Sequence, residues 1–147
     1  MSYRTAQPEA PVTTLDDVIA DARILIVDDD DILRGVNEAV LSLAGYGTGS
    51  AADGAEALAM LANGDFDLVL TDCNMPRLDG LGLVRAMRAA GNRTPIMMVS
   101  GSLAGDSELP DDVRREVAVA LPKPLRTLEL LAGVARALDA GSMSART

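Results

Sequence analysis

The chain has 147 residues, enough for one domain with a single sizeable core, and 48% of them are hydrophobic although aromatics are limited to one Phe and two Tyr. Its net charge is −9, from 22 acidic and 13 basic residues with no run of Lys or Arg, which argues against direct binding to nucleic acid or to anionic lipid. Histidine is absent and Cys73 is the one cysteine, which excludes His-based acid–base catalysis, His metal ligands, a phosphohistidine carrier and an intrachain disulfide.

No signal peptide is recognisable, and no apolar run approaches the ~20 residues of a membrane span, so a cytoplasmic protein is expected. Residues 1–22 hold Pro8 and Pro11 among mixed polar residues without a sustained period, and read as a flexible leader. Ile24–Val27 is short, apolar and rich in β-branched residues, the pattern of a strand buried on both faces. Leu33, Val36, Val40 and Leu43 recur at helical spacing, and Gly45 supplies a stop. Gly47–Ala51 reads as a strand, after which Asp53 caps a helix of Ala and Leu ending near Asn63–Gly64.

Leu68–Thr71 is the next buried strand, Gly80–Ala90 a helix closed by Gly91, and Ile96–Val99 a strand following Pro95. Gly101–Leu109, with two glycines and several polar residues, reads as a mobile loop. A short helix follows Pro110, with Asp111 and Asp112 in its first turn. Val117–Leu121 is the last strand, and Leu128, Leu131, Ala135 and Leu138 mark a terminal helix. The domain is placed at residues 23–140, with 141–147 as a flexible tail. Five strands alternating with five helices predict an α/β fold with a parallel sheet and right-handed crossovers.

In such sheets ligands bind beyond the carboxyl ends of the strands. The first strand leaves Asp28 and Asp29 there, the third Asp72, the fourth Ser100 and the fifth Lys123 followed by Pro124. Clustered carboxylates repel one another, which raises their pKa values or recruits a cation. An oxygen-only site suits Mg2+, with Mn2+ as a substitute. A carboxylate can also act as a nucleophile and form an aspartyl phosphate, whose charge metal, ammonium and hydroxyl would meet. Singly, an Asp after a strand is usually a helix cap and a Lys there is usually solvated. Their joint placement on one rim is what favours the phosphoryl reading.

These residues resemble a known family, the receiver domains of two-component response regulators, over about Arg23 to Asp139. "ILIVDDDD" resembles its acidic pair, "LVLTDCNMPRLDG" its D-x-x-M-P-x-x-D-G phosphoacceptor signature, "IMMVSG" its Ser/Thr element and "LPKP" its Lys-Pro. The resemblance implies a flavodoxin-like, doubly wound sheet of five parallel strands in the order 2-1-3-4-5. It further implies that Asp72 is the phosphoacceptor, and that Asp29, Asp72 and the backbone carbonyl of Asn74 bind Mg2+ directly, with Asp28 acting mainly through water. Lys123 and Ser100 would contact the phosphoryl group, and Pro124 would follow a cis peptide bond. Asn74 and Ser102, flanking the path of attacking water, would tune the phosphoryl lifetime.

The implied donor is a histidine kinase or a histidine phosphotransfer protein, and the output a contact with a further protein, from a monomer or weak dimer. Such a domain catalyses no reaction beyond its own phosphorylation and dephosphorylation. Many relatives report the switch through an aromatic on the fifth strand, but here that position is Ala120, so loop and helix movement must carry the signal. With the fold ending near Asp139, no output domain fits behind it, and a stand-alone receiver is expected. "TDCNMP" is also reminiscent of receivers from hybrid histidine kinases.

Two other readings compete. A phosphohydrolase of the haloacid-dehalogenase type would use Asp28 as nucleophile, since Asp28-Asp29-Asp30-Asp31-Ile32 nearly imitates its D-x-D-x-[TV] motif. A pseudo-receiver would bind partners without phosphorylation. Cys73, Met97 and Met98 read as core, Asp30 and Asp31 as residues of the first helix's start, one capping it and both favouring its positive end, and Asp79 and Gly80 as shaping the third.

Overall fold

The computed structural model describes residues 22–75, 77–101 and 109–146, so the predicted leader up to residue 21, Ser102 with most of the predicted mobile loop, and Thr147 lie outside the described residues. Among the described residues, strands and helices alternate: β1 (Arg23–Val27), α1 (Asp31–Leu43), β2 (Gly47–Ala51), α2 (Gly54–Asn63), β3 (Leu68–Asp72), α3 (Gly80–Ala89), β4 (Ile96–Ser100), α4 (Asp111–Arg114), β5 (Val119–Pro122) and α5 (Thr127–Arg146). The strands form one parallel sheet in the order β2-β1-β3-β4-β5. This is the doubly wound α/β architecture expected, with both crossing directions present.

Alternation along the strands divides the core in two. Ile24, Ile26, Leu68, Leu70, Met97 and Val99 face α1 and α5, where Leu41, Leu130, Val134 and Ala137 cover them. Leu25, Val27, Val69, Ile96 and Met98 face the other way, onto Leu83, Val84 and Met87 of α3, Ala57 of α2 and Val113 of α4. Met97 and Met98 are both fully buried, one on each side. Flexible thioethers fill the spaces that aromatics would fill in an average core.

One strand boundary is corrected, and two of the expected helices bury faces that their periodic residues alone do not fix. The last strand begins two residues later than predicted, at Val119, and ends on Pro122. On α1 the buried residue is Leu41, while Leu33, Val36 and Leu43 are 40%, 51% and 89% exposed. The helix is turned because Arg34 is held inward: its Nη1 donates to the Asp28 carbonyl at 2.7 Å and its Nη2 to Asp31 Oδ1 at 2.6 Å. On α5 the covering face is likewise Leu130, Val134 and Ala137, with Leu128 79% exposed.

The stretch 141–146, expected to be part of a flexible tail, is the last part of α5, which runs to Arg146. Gly141 misled because a glycine after a helical pattern usually marks its end. Here it permits close packing, since a Cβ at 141 would stand 2.6 Å from Pro95 Cγ.

Candidate functional site

Parallel register brings the carboxyl ends of β1, β3, β4 and β5 level. Val27 pairs with Thr71, Asp72 with Val99 and Ser100 with Pro122, so the residues just beyond share one rim. Asp28 leaves β1 buried, at 4% exposure. Its Oδ1 accepts the Asp30 N–H at 2.9 Å, and its Oδ2 lies 3.7 Å from Lys123 Nζ. Lys123 Nζ also donates to Asp72 Oδ2 at 3.2 Å, across the mouth of the sheet. Asp29 is exposed, yet carboxylate oxygens of Asp28, Asp29 and Asp72 all lie within 4.8 Å of one another.

Ser100 is fully buried at the end of β4, and its Oγ accepts Asn74 Nδ2 at 3.4 Å. The Lys123 N–H donates to the Ser100 carbonyl at 3.0 Å, which joins the hydroxyl-bearing residue to the ammonium-bearing one. The Lys123–Pro124 peptide bond is cis. The loop after Asp72 is drawn tight where Gly80 N–H donates to the Cys73 carbonyl at 2.8 Å, and a Cβ at Gly80 would stand 2.4 Å from the Asp72 carbonyl oxygen. Asp79 then caps α3 by accepting the Gly82 N–H at 2.9 Å. Asp28, Asp29, Asp72 and Lys123 thus meet directly, with Ser100 and Asn74 joined beside them.

Charge at the rim is strained. Burial pushes the Asp28 carboxyl above its ordinary range, and neighbouring Asp72 and Asp29 add to this, against the Asp30 N–H and Lys123. Burial works to lower the Lys123 pKa, but the charges of Asp72 and Asp28 and the hydrogen bond to Asp72 prevail and raise it. Burial, with Asp79 and Asp72 nearby, lifts the Cys73 thiol above its usual value, so a reactive thiolate is disfavoured and packing is its role. Three convergent carboxylates with no nitrogen or sulfur donor among them are the chemistry of a hard divalent cation, and the donor set fits Mg2+.

Sequence reading missed three features. Arg34 clamps the turn that carries the acidic pair, and its only signal is its place three residues after Asp31. Asp53, recognised as the cap of α2, is also ion-paired with Arg77, which nothing in the linear pattern indicates. A cavity of about 390 Å³ opens beside Lys123, floored by Ile26, Leu70 and Val99 and walled by Leu33 and Leu125.

A family model described as the response regulator receiver domain matches residues 24–135. The response regulator MprA of Mycobacterium sp. (strain KMS) is 42% identical over 116 residues, which cover 75% of this chain and 47% of that protein. The chain therefore spans about half the length of the curated relatives it matches. Among solved structures, the chemotaxis response regulator CheY4 of Vibrio cholerae is similar at 32% identity and a TM-score of 0.74, over 80% of this chain and 98% of that one. The CheY-like receiver domain protein of Methanospirillum hungatei JF-1 superposes with a TM-score of 0.76 at 27% identity, over 84% of this chain and 98% of that one. The chain belongs to the response regulator receiver domain family, the phosphoacceptor modules of two-component signalling.

Proposed function

We propose that Asp72 accepts a phosphoryl group from the phosphohistidine of a histidine kinase or a histidine phosphotransfer protein. The observation that carries this reading is the Lys123 ammonium 3.2 Å from Asp72 Oδ2, beside the Asp28 and Asp29 carboxylates. In the proposed transfer an Asp72 carboxylate oxygen attacks phosphorus, the P–N bond to the donor imidazole breaks, and the imidazole leaves with a proton. Lys123 meets charge on the transferring oxygens, and the Ser100 hydroxyl donates to one of them once it arrives. Asp28, Asp29, Asp72 and the Asn74 carbonyl would hold Mg2+. When bound, it supplies positive charge to a phosphoryl oxygen and offsets the repulsion among the carboxylates.

Hydrolysis reverses the state: water attacks phosphorus, the P–O bond to Asp72 breaks, and inorganic phosphate leaves. Asn74 and Ser102 are proposed to tune that rate. The choice of Asp72 over Asp28 as nucleophile is supported by hydrogen bonding. The Lys123 ammonium gives its hydrogen bond to Asp72 Oδ2 and lies 3.7 Å from Asp28, whose Oδ1 accepts the Asp30 N–H and which is buried at 4% exposure. The pseudo-receiver alternative gains no support from a rim on which the chemical side chains converge.

A protein donor must rest on the rim beside Asp72. Ile32, Leu33 and Val36, at 77%, 40% and 51% exposure, lie at the start of α1, just after Asp28, and offer it an apolar grip. The proposed compartment is the cytoplasm; among the described residues no helix is long and apolar enough to cross a membrane. Incubation with Mg2+ and a small acyl-phosphate donor, borohydride reduction of the acyl phosphate and peptide mass spectrometry test the reading. Modification is expected at Asp72 and absent from Asp72→Asn; modification at Asp28 would overturn the assignment.

A further inference from the structure

The rim carries a second ion pair that phosphoryl chemistry does not use. Asp53, between β2 and α2, is 2% exposed, and its Oδ1 accepts the Glu56 N–H at 2.9 Å while its Oδ2 accepts Arg77 Nη2. Arg77 lies in the loop from Asp72 to α3 with φ of 65°, a left-handed conformation that residues with a Cβ rarely adopt. The pairing holds it there. One residue on, the Leu78 carbonyl accepts the Gly54 N–H at 3.0 Å, so two adjacent loop residues are moored to the start of α2. At its other end the loop closes on itself through Gly80 N–H and the Cys73 carbonyl, 2.8 Å apart.

A solvated pair at the surface would contribute little. This pair is asymmetric: the Arg77 side chain is 71% exposed, but that of Asp53 is 3% exposed, so losing the arginine strands a buried carboxylate. The loop between the two moorings contains Asn74. A carbonyl ligand has no rotamer to adjust, and its position follows the backbone alone. Mg2+ tolerates little departure from octahedral geometry, which makes such a ligand sensitive to loop placement.

We propose that the Arg77–Asp53 pair is a positioning device for the cation site, fixing the loop whose Asn74 carbonyl completes the oxygen set of Asp28, Asp29 and Asp72. It rests on the reading of that set as a Mg2+ centre. Two nearly isosteric or conformationally matched variants isolate the pair. Asp53→Asn keeps a helix cap of equal quality, and Arg77→Asn keeps a residue that tolerates the left-handed region.

Isothermal titration with Mg2+ alone, on wild type, both variants and the double variant, supplies the readout. Charge and position make opposite predictions for Arg77→Asn. Removing a cation from an acidic rim tightens Mg2+, whereas releasing the loop weakens it. The expected result is a Kd weakened about tenfold, the low end for groups that orient metal ligands, with the double variant no worse than either single one. Native-state hydrogen exchange should show the Gly54 and Gly80 amides losing protection in the same variants. Should Arg77→Asn prove unstable, Arg77→Gly carries the same expectation at a residue that favours this φ. Unchanged or tighter Mg2+ binding in the arginine variants, with wild type binding normally, overturns the proposal alone. A wild type that takes up no Mg2+ overturns it together with the reading of the site.

Discussion

Replacing Lys123 by methionine removes one ammonium and keeps most of its apolar stem. In Mg2+-free buffer that ammonium faces Asp72 at 3.2 Å and Asp28 at 3.7 Å. At an effective dielectric of about 20, each contact is worth roughly 5 kcal/mol of gross attraction. Most of that replaces lost hydration, and the Lys123 side chain is 27% exposed, so screening reduces it further. A net loss of about 1–3 kcal/mol is expected, because the three carboxylates are then left facing one another without a counter-ion. For a domain of this size, about 2 kcal/mol lowers Tm by roughly 5–10 °C.

Mg2+ separates this electrostatic account from simple loss of packing. The carboxylate cluster repels itself more strongly without Lys123, so a divalent cation relieves more repulsion in Lys123→Met than in wild type. Thermal melts followed by far-UV circular dichroism, in chelator and in millimolar Mg2+, should show the deficit shrinking by half or more when Mg2+ is added. An equal deficit in both buffers would refute the reasoning, since it would mean that Lys123 acts through its stem rather than its charge.

The aspartate run separates by the same assay. Asp29→Asn should remove most of the Mg2+-dependent rise in Tm. Asp30→Ala should cost about 0.5–2 kcal/mol with or without Mg2+, because Asp30 Oδ1 caps α1 through the Ile32 and Leu33 N–H groups at 3.0 and 3.1 Å. Placing a charge in the exposed apolar strip, as in Val36→Asp, should slow phosphotransfer from a kinase about tenfold or more while leaving phosphorylation by a small acyl phosphate unchanged; equal slowing of both would remove α1 from the docking surface. The Glu56 N–H and then Arg77 hold the Asp53 carboxyl below its ordinary value of 3.8. A depressed pKa stabilises the fold above that value and the contribution drains as pH falls through the lower folded one, so in chemical denaturation Asp53→Asn should show a shallower acid limb below about pH 4 than wild type.

What was legible in the sequence follows from how strongly each position is constrained. A strand buried on both faces must be continuously apolar, and β1, β3 and β4 could be located to within a residue. The residue that ends such a strand sits on the ligand rim whatever the helices do, which is why Asp28, Asp72 and Ser100 could be placed without knowing the packing. Helix faces were less legible. The spacing of Leu33, Val36, Val40 and Leu43 fits a helix, but its rotation is set by Arg34 reaching the Asp28 carbonyl, a contact across a turn that hydrophobic period does not register. Gly141 failed for the opposite reason: its local preference was overridden by a tertiary contact with Pro95. The Arg77–Asp53 pair joins residues 24 positions apart in two loops, where no periodic signal exists.

The same geometry narrows how charge on Asp72 can be felt elsewhere. Ala120 is only partly buried and packs toward α3 and α4, so no aromatic ring swings at that position. Two connections lead outward instead. Through the Ser100 carbonyl and the Lys123 N–H, β4 and β5 are joined at the rim, so a displacement of the Ser100 backbone would carry Lys123 with it. The other runs through α4 and the turn that follows it, which are tied to α3 at two points of unequal strength. Arg85 meets Asp112 at 2.8 Å, with both side chains about half exposed, and such a pair yields readily. Arg88, 14% exposed, holds Glu116 Oε1 at 2.6 Å together with the Asn92 and Thr94 carbonyls at 2.8 and 3.0 Å. The end of α4 nearest Asp112 is therefore the compliant one, and the segment at Glu116 is the fixed one. A shift of this segment away from α3 would break the two bonds Arg88 makes to Glu116, whereas a pivot about Glu116 would break only the exposed Arg85–Asp112 pair.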